Sequence, residues 1–199
     1  MSSTVLTWII IGAIVLAAIW MVAVYNGLVA MRQRVNQAFS DIDVQTKQRH
    51  DLVPNLVETV KGYASHERGT LEAVVQARNA AITAQSGGVA AQAAAENALT
   101  GALRQLFALS EAYPDLKANQ NFLQLQNRIS DLENQIADRR EYYNDSVAIF
   151  NARLEQVPYI FFARMLDYHA REMYKVAAAE TAPPDVRFEM PKPAGRSAA

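Results

Sequence analysis

The 199 residues carry 19 Lys+Arg against 20 Asp+Glu, for a formal net charge of −1, so no basic field for nucleic acid exists. There is no cysteine, which excludes structural disulfides, a thiol nucleophile, a thiolate metal site and a lipidated cysteine. Every charged residue lies beyond Met31.

The chain opens on a four-residue tail, 1–4, without a charged side chain. Residues 5–24 are apolar apart from Thr7 and Gly12, with Trp8 near one end and Tyr25 at the other. At 1.5 Å per residue this run spans roughly 30 Å, the thickness of a bilayer's hydrocarbon core. A secretory signal begins with cations and closes on small residues, whereas bulky Trp20, Met21 and Tyr25 crowd this end. The expected element is an uncleaved transmembrane anchor over 5–25, with aromatic rings at both interfaces. Arg32 and Arg34 follow it and nothing positive precedes it. By the positive-inside rule the N-terminus is outside and the remainder lies in the cytoplasm, under the cell's inner membrane.

Helical periodicity continues without a break. Leu28, Val35, Ile42, Leu56 and Tyr63 recur in sevens or twice seven, with Arg49 in the gap. One helix is therefore expected from about Val5 to Lys61, kinked by Pro54, which removes one hydrogen bond. Gly62 ends it, and Ser65 is the expected cap of a second helix carrying Leu71, Val74, Val75 and Ile82. Residues 85–88, Gln-Ser-Gly-Gly, stop that helix. An Ala-rich helix with Leu99, Leu103, Leu106 and Phe107 follows and ends at Tyr113-Pro114. The last long helix is expected over about 115–157, with Phe122, Ile129, Ile136, Tyr143 and Phe150 in strict sevens. Short loops force antiparallel neighbours. The expected fold is all-α: a transmembrane helix continuous with an antiparallel, coiled-coil-like four-helix bundle over 26–157. A C-terminal aromatic amphipathic helix over 158–179 and a Pro-rich, largely disordered tail over 180–199 complete it.

Three stretches carry a family resemblance. Tyr25-Asn26-Gly27-Leu28-Val29 leads into Arg32-Gln33-Arg34-Val35, and then into the block from Phe39 through Asp41-Ile42-Asp43 and Arg49-His50-Asp51-Leu52-Val53-Pro54-Asn55-Leu56-Val57. Later come Tyr113-Pro114-Asp115-Leu116, Tyr143-Asn144-Asp145 and Phe150-Asn151. Together they resemble the LemA family of bacterial membrane proteins, over about residues 25–151, and Pro183-Pro184-Asp185-Val186-Arg187-Phe188 is similar to the family's ending. The resemblance implies an N-terminal anchor, a cytoplasmic four-helix bundle and no catalytic residue. It also implies a neighbouring membrane zinc protease or other membrane protein as a partner, and some relatives help to build magnetosome membranes.

Candidate sites divide in two. A structural polar layer is expected from Asp41, Asp43, Thr46, Arg49, Asp131 and Arg139. Arg49 takes a place in the apolar stripe and needs a partner; if the first and last helices run antiparallel it lies at about the level of Asp131, and Asp41 near Arg139, a pairing that the heptad phases leave open. Asp41 and Asp43 are two apart, so they do not converge as an acid–base pair on a helix. The residues three before His50, His66 and His169 are Lys47, Tyr63 and Leu166, so no Glu-x-x-His di-iron motif exists. No phosphate loop, nucleophile elbow or zincin motif occurs either. The catalytic, cofactor-binding and metal assignments are therefore none. The second group, Tyr159, Phe161, Phe162, Leu166 and Met173, is an expected membrane or subunit contact, because the last bundle helix returns towards the bilayer. The function expected is a non-enzymatic membrane-anchored scaffold or adaptor. The alternatives are a self-assembling membrane organiser and, more weakly, a sensory bundle. The expected contacts are the lipid bilayer through 5–25, another membrane protein such as a protease, and further copies of the chain in a homo-oligomer.

Overall fold

A computed structural model of the chain describes residues 3–175. Among these residues the regular structure is entirely helical. Helix α1, Ser3–Lys61, runs unbroken for 59 residues, about 90 Å at 1.5 Å per residue. It is followed by α2 (Arg68–Ala84), α3 (Val89–Ser110), the short α4 (Pro114–Lys117), α5 (Gln120–Glu155) and α6 (Tyr159–Met165).

The first third of α1 is apolar and exposed on all sides, and none of its membrane-length window is buried in the fold. Burial begins at Val24 and Leu28 and continues through Val35, Ile42, Arg49 and Leu56, the seven-residue stripe. Tyr63, its last member, is exposed, because α1 has ended two residues earlier. The matching stripe on α5, Phe122 to Phe150, is buried at every step. Helix α1 packs along α5, and α2 packs along α3. Side-chain pairs fix the register: Phe39 meets Tyr143, Arg49 meets Glu133, and Tyr63 meets Asn119, with numbers rising on α1 as they fall towards α5's start.

Two apolar clusters fill the interior. One joins Leu28, Val35, Ile42, Tyr143, Val147 and Phe150, on the side of the exposed apolar stretch. The other joins Val53, Leu56, Leu99, Leu106, Phe122 and Ile129, towards the far end. Between them on α1 lie Thr46, Arg49 and His50, all buried.

Pro54 lies inside α1 and lacks the N–H that would reach the carbonyl of His50, four residues earlier. Arg78 of α2 takes its place, donating from Nε to the His50 carbonyl oxygen at 2.7 Å. The proline thus opens a docking point for α2 on the side of α1.

Several element boundaries differ from the sequence expectation. Ser65 does not cap α2. Glu67 holds the N-cap position without a side-chain bond to the helix and instead accepts from the Tyr113 hydroxyl at 3.0 Å. Pro114 starts only the one-turn α4, and the long helix begins afresh at Gln120, where Asn119 Oδ1 accepts from the Phe122 N–H at 2.9 Å. Between α2 and α3, Gly88 has φ 89°, a left-handed value that glycine adopts without a Cβ clash.

The larger correction concerns the expected helix over 158–179. Helix α6 ends at Met165, and residues 168–175 form an extended strap. Asp167 turns the chain with φ 55°, and two asparagines on α5 then take over the backbone. Asn151 Nδ2 donates to the Arg171 carbonyl at 2.9 Å, and the Arg171 N–H donates back to Asn151 Oδ1 at 2.8 Å. Asn144 does the same for Tyr174, at 3.0 and 2.7 Å. Seven helical residues rise roughly 10.5 Å and three extended residues roughly 10 Å, so the two spacings match. Backbone groups that a helix would pair internally are satisfied by side chains instead. The rest of that expected helix, 176–179, and the expected tail over 180–199 lie outside the described residues.

Candidate functional site

The buried polar layer is the densest chemistry in the fold. Arg49 is fully buried, and its guanidinium forms ion pairs with Glu96 of α3 and Glu133 of α5. It also donates to Thr100 Oγ1 at 2.9 Å. Thr100 Oγ1 in turn lies 3.1 Å from Glu133 Oε2. His50 Nε2 sits 3.0 Å from Glu96 Oε1, at ion-pair distance though off the line of a hydrogen bond. One guanidinium therefore ties three helices together, and its planar fork suits two carboxylates at once.

Electrostatics follow from that arrangement. Burial pushes the Glu96 carboxyl up, but His50 and Arg49 beside it more than offset this and hold it below its ordinary value of 4.5. Glu96 thus stays ionised in the interior because Arg49 and His50 stand beside it. Around the layer, Gln92 Nε2 donates to Asp43 Oδ1 at 2.7 Å, and Thr46 Oγ1 donates to the Asp43 carbonyl at 3.1 Å. Arg140 of α5 is buried, donates to Asn97 Oδ1 at 3.2 Å and lies over the Tyr174 ring at 4.7 Å from its centroid. Tyr174, a residue of the strap, is buried, and that burial pushes its hydroxyl up to about 12. A groove of about 440 Å³ between α3 and α5, lined by Thr100, Arg104, Phe107, Glu133 and Arg140, opens beside the layer.

Of the six residues expected in a polar layer, Thr46 and Arg49 are buried in it, Asp43 is half-buried at its edge, and Asp41 is half-buried farther along α1. Asp131 and Arg139 point to solvent. The register shift that separates them is small: Arg49 reaches Glu133, two residues on from Asp131, and the buried arginine is Arg140, next to Arg139. Glu96 and Glu133 were the partners the sequence reading missed. A signal for Glu96 existed, since Gln92, Glu96, Leu99, Leu103 and Leu106 form one helical stripe in which an acid, like Arg49, is out of place.

The five residues expected to contact membrane or subunit fall in different surroundings. Tyr159 is half-buried under Arg153, 4.9 Å from its ring centroid, and stands next to Gly27 of α1. Phe162 packs against the apolar cluster near the exposed stretch of α1, and Leu166 is half-buried. Phe161 and Met173 are exposed. Among the described residues, no three His, Asp or Glu side chains gather as a metal site.

A LemA family model matches residues 38–188 of this chain, from the middle of α1 past the strap. The chain belongs to the LemA family. Its LemA region therefore contains the whole polar layer and both asparagine clamps. Among curated relatives, the chain is similar to Magnetosome protein MamQ of Magnetospirillum gryphiswaldense, 24% identical over 183 residues, covering 80% of this chain and 67% of the relative. It is also similar to Protein LemA of Metamycoplasma hominis, 26% identical over 157 residues, covering 78% of this chain and 70% of that protein.

Proposed function

We propose that this LemA-family chain is a non-enzymatic, membrane-anchored scaffold or adaptor. In this reading α1, α2, α3 and α5 form an antiparallel four-helix bundle in the cytoplasm, and the first third of α1 crosses the inner membrane. One observation carries the proposal: the helix exposed and apolar over its first third is the same unbroken helix that lines the core farther on. A joint without a hinge transmits position, so the bundle stands at a set distance from the bilayer. The opposed numbering of the α1–α5 pairs supports the antiparallel arrangement. The Arg49 layer supports a structural role for the buried charges, since both carboxylates are engaged by a guanidinium.

A second reading, a self-assembling membrane organiser, is favoured by the MamQ relatives, which are named as magnetosome proteins. Purification of the full chain from its own membrane in mild detergent, followed by sizing and mass spectrometry, separates the two. The adaptor reading expects a distinct membrane protein, such as a protease, at fixed stoichiometry. Large homo-oligomers alone favour the organiser, and a partnerless monomer contradicts both.

A further inference from the structure

We propose that α6 and the turn before it form a second membrane contact, in which Val157, Phe161 and Met165 enter the lipid interface beside the point where α1 leaves the bilayer. The proposal rests on the reading of α1 as a bilayer span, and it adds an attachment which that reading does not require.

Exposure singles these residues out. Val157, Phe161 and Met165 are 75%, 66% and 71% exposed, as bare as Trp8 and Leu16 in the apolar stretch of α1, at 72% and 69%. The other exposed large hydrophobics beyond that stretch range from 39% to 54%, from Val75 to Val44. Scattered hydrophobics at such values are ordinary on a protein surface. Three bare ones, four residues apart and adjoining a larger apolar surface, are not. Phe161 and Met165 share one face of α6. The opposite face, Ala163 with Phe162, is packed into the fold.

Position supplies the second argument. Tyr159, the first residue of α6, lies 3.9 Å from where a Gly27 Cβ would stand. Gly27 is three residues past Val24, where α1 becomes buried, so the tip of the Tyr159 ring, at the start of α6, sits within about 5 Å of the end of the span along the helix axis. Trp20 and Tyr25, exposed at the same end, are the aromatic types that settle at the headgroup level. Arg32 stacks on Tyr168 at 5.0 Å and Arg153 on Tyr159 at 4.9 Å, while Arg34 and Arg164 are exposed nearby. Apolar side chains with arginines around them fit a lipid surface, acyl chains inside and phosphates outside, and the exposed acids Glu155 and Asp167 lie at the margin. A second copy fits less well. Three side chains supply much less than the roughly 800 Å² per partner of a stable protein interface.

A single span leaves the bundle free to swivel about α1. An off-axis wedge sets which flank faces the membrane, and with it the direction in which the α3–α5 groove opens.

The absence of cysteine makes the test direct. Ile14→Cys, Phe161→Cys, Met165→Cys and Leu123→Cys, each in the full chain, carry a nitroxide label in phospholipid vesicles. Collisions with oxygen report lipid, and collisions with a nickel chelate report water. Leu123 is an exposed hydrophobic on α5 near Tyr63, at the far end of the fold, and serves as the aqueous reference. The expected result is that the Phe161 and Met165 labels follow Ile14, favouring oxygen over the chelate, and depart from Leu123. If Ile14 is in lipid while Phe161 and Met165 match Leu123, the second contact is refuted and the span stands. If Ile14 itself is in water, the span reading fails first. Dipolar broadening at Phe161 that disappears on dilution with unlabelled protein places a sister copy on this face and overturns the lipid assignment.

Discussion

The Pro54–His50–Arg78 arrangement makes a quantitative prediction. Arg78→Met removes the donor that meets the His50 carbonyl at 2.7 Å while keeping much of the aliphatic stem. Because Pro54 has no N–H, the carbonyl then loses the donor that stands in for the missing helical one, beside a buried side chain. Leaving a buried acceptor unsatisfied costs about 1–3 kcal/mol, and a charged donor raises the figure within that range. The lower half is expected here, because the bond is only partly buried. For a domain of this size about 1.5 kcal/mol lowers Tm by roughly 3–6 °C. Pro54→Ala returns an N–H to the helix and should by itself stabilise α1, since proline in a helix interior costs about 3 kcal/mol against alanine. In that background the His50 carbonyl has a helical donor, and Arg78→Met should cost about 1 kcal/mol less than in the parent chain, well outside the additivity expected of independent sites. Thermal melts of the four proteins by circular dichroism in one detergent close the cycle. Equal losses in both backgrounds, within about 0.5 kcal/mol, would refute the claim that the proline creates the site.

Arg49→Ala should destabilise the fold by about 3–5 kcal/mol, because it strands Glu96 in the interior. Chemical denaturation should show Arg49→Met with Glu96→Leu recovering most of that loss, and failure to recover would mean the layer does more than balance charge. Glu96 is held below its ordinary value, so its contribution is present above about pH 4.5 and is lost as pH falls through the folded-state value. Melts between pH 7 and pH 3 should therefore show a shallower acid limb for Glu96→Gln than for the parent, and parallel limbs would contradict the assignment. Asn144→Ala with Asn151→Ala removes four backbone bonds to the strap, each worth about 1 kcal/mol net. Hydrogen exchange at Arg171 and Tyr174 should rise by tenfold or more while the α5 core keeps its protection.

The helices themselves were readable because burial is written in period. The sevens of α1 and α5 place Leu28 to Leu56 and Phe122 to Phe150 inside, and the structure buries them there. Arg49 was legible as an exception to that period. Its partners were not, because periodicity gives a face but not a register, and a shift of two residues exchanges Asp131 for Glu133. The segment after α6 misled for a related reason. Phe162, Leu166, His169 and Met173 follow helical spacing, yet the Asn144 and Asn151 side chains offer the backbone another set of partners. Such competition is tertiary, and no local window contains it. The docking role of Pro54 was hidden likewise, since the missing helical hydrogen bond could be foreseen from the proline alone but Arg78 could not.

The central claim is that one helix serves both as span and as core, so that anchor and bundle are separable in stability though continuous in structure. Removal of residues 1–32 tests it most directly. The account predicts that the remainder is recovered folded in solution, gives a highly helical circular-dichroism spectrum and melts cooperatively, because the two apolar clusters and the Arg49 layer lie beyond residue 32 apart from Leu28 and Met31. A truncated chain that is disordered in solution, or that melts without cooperativity, would contradict it.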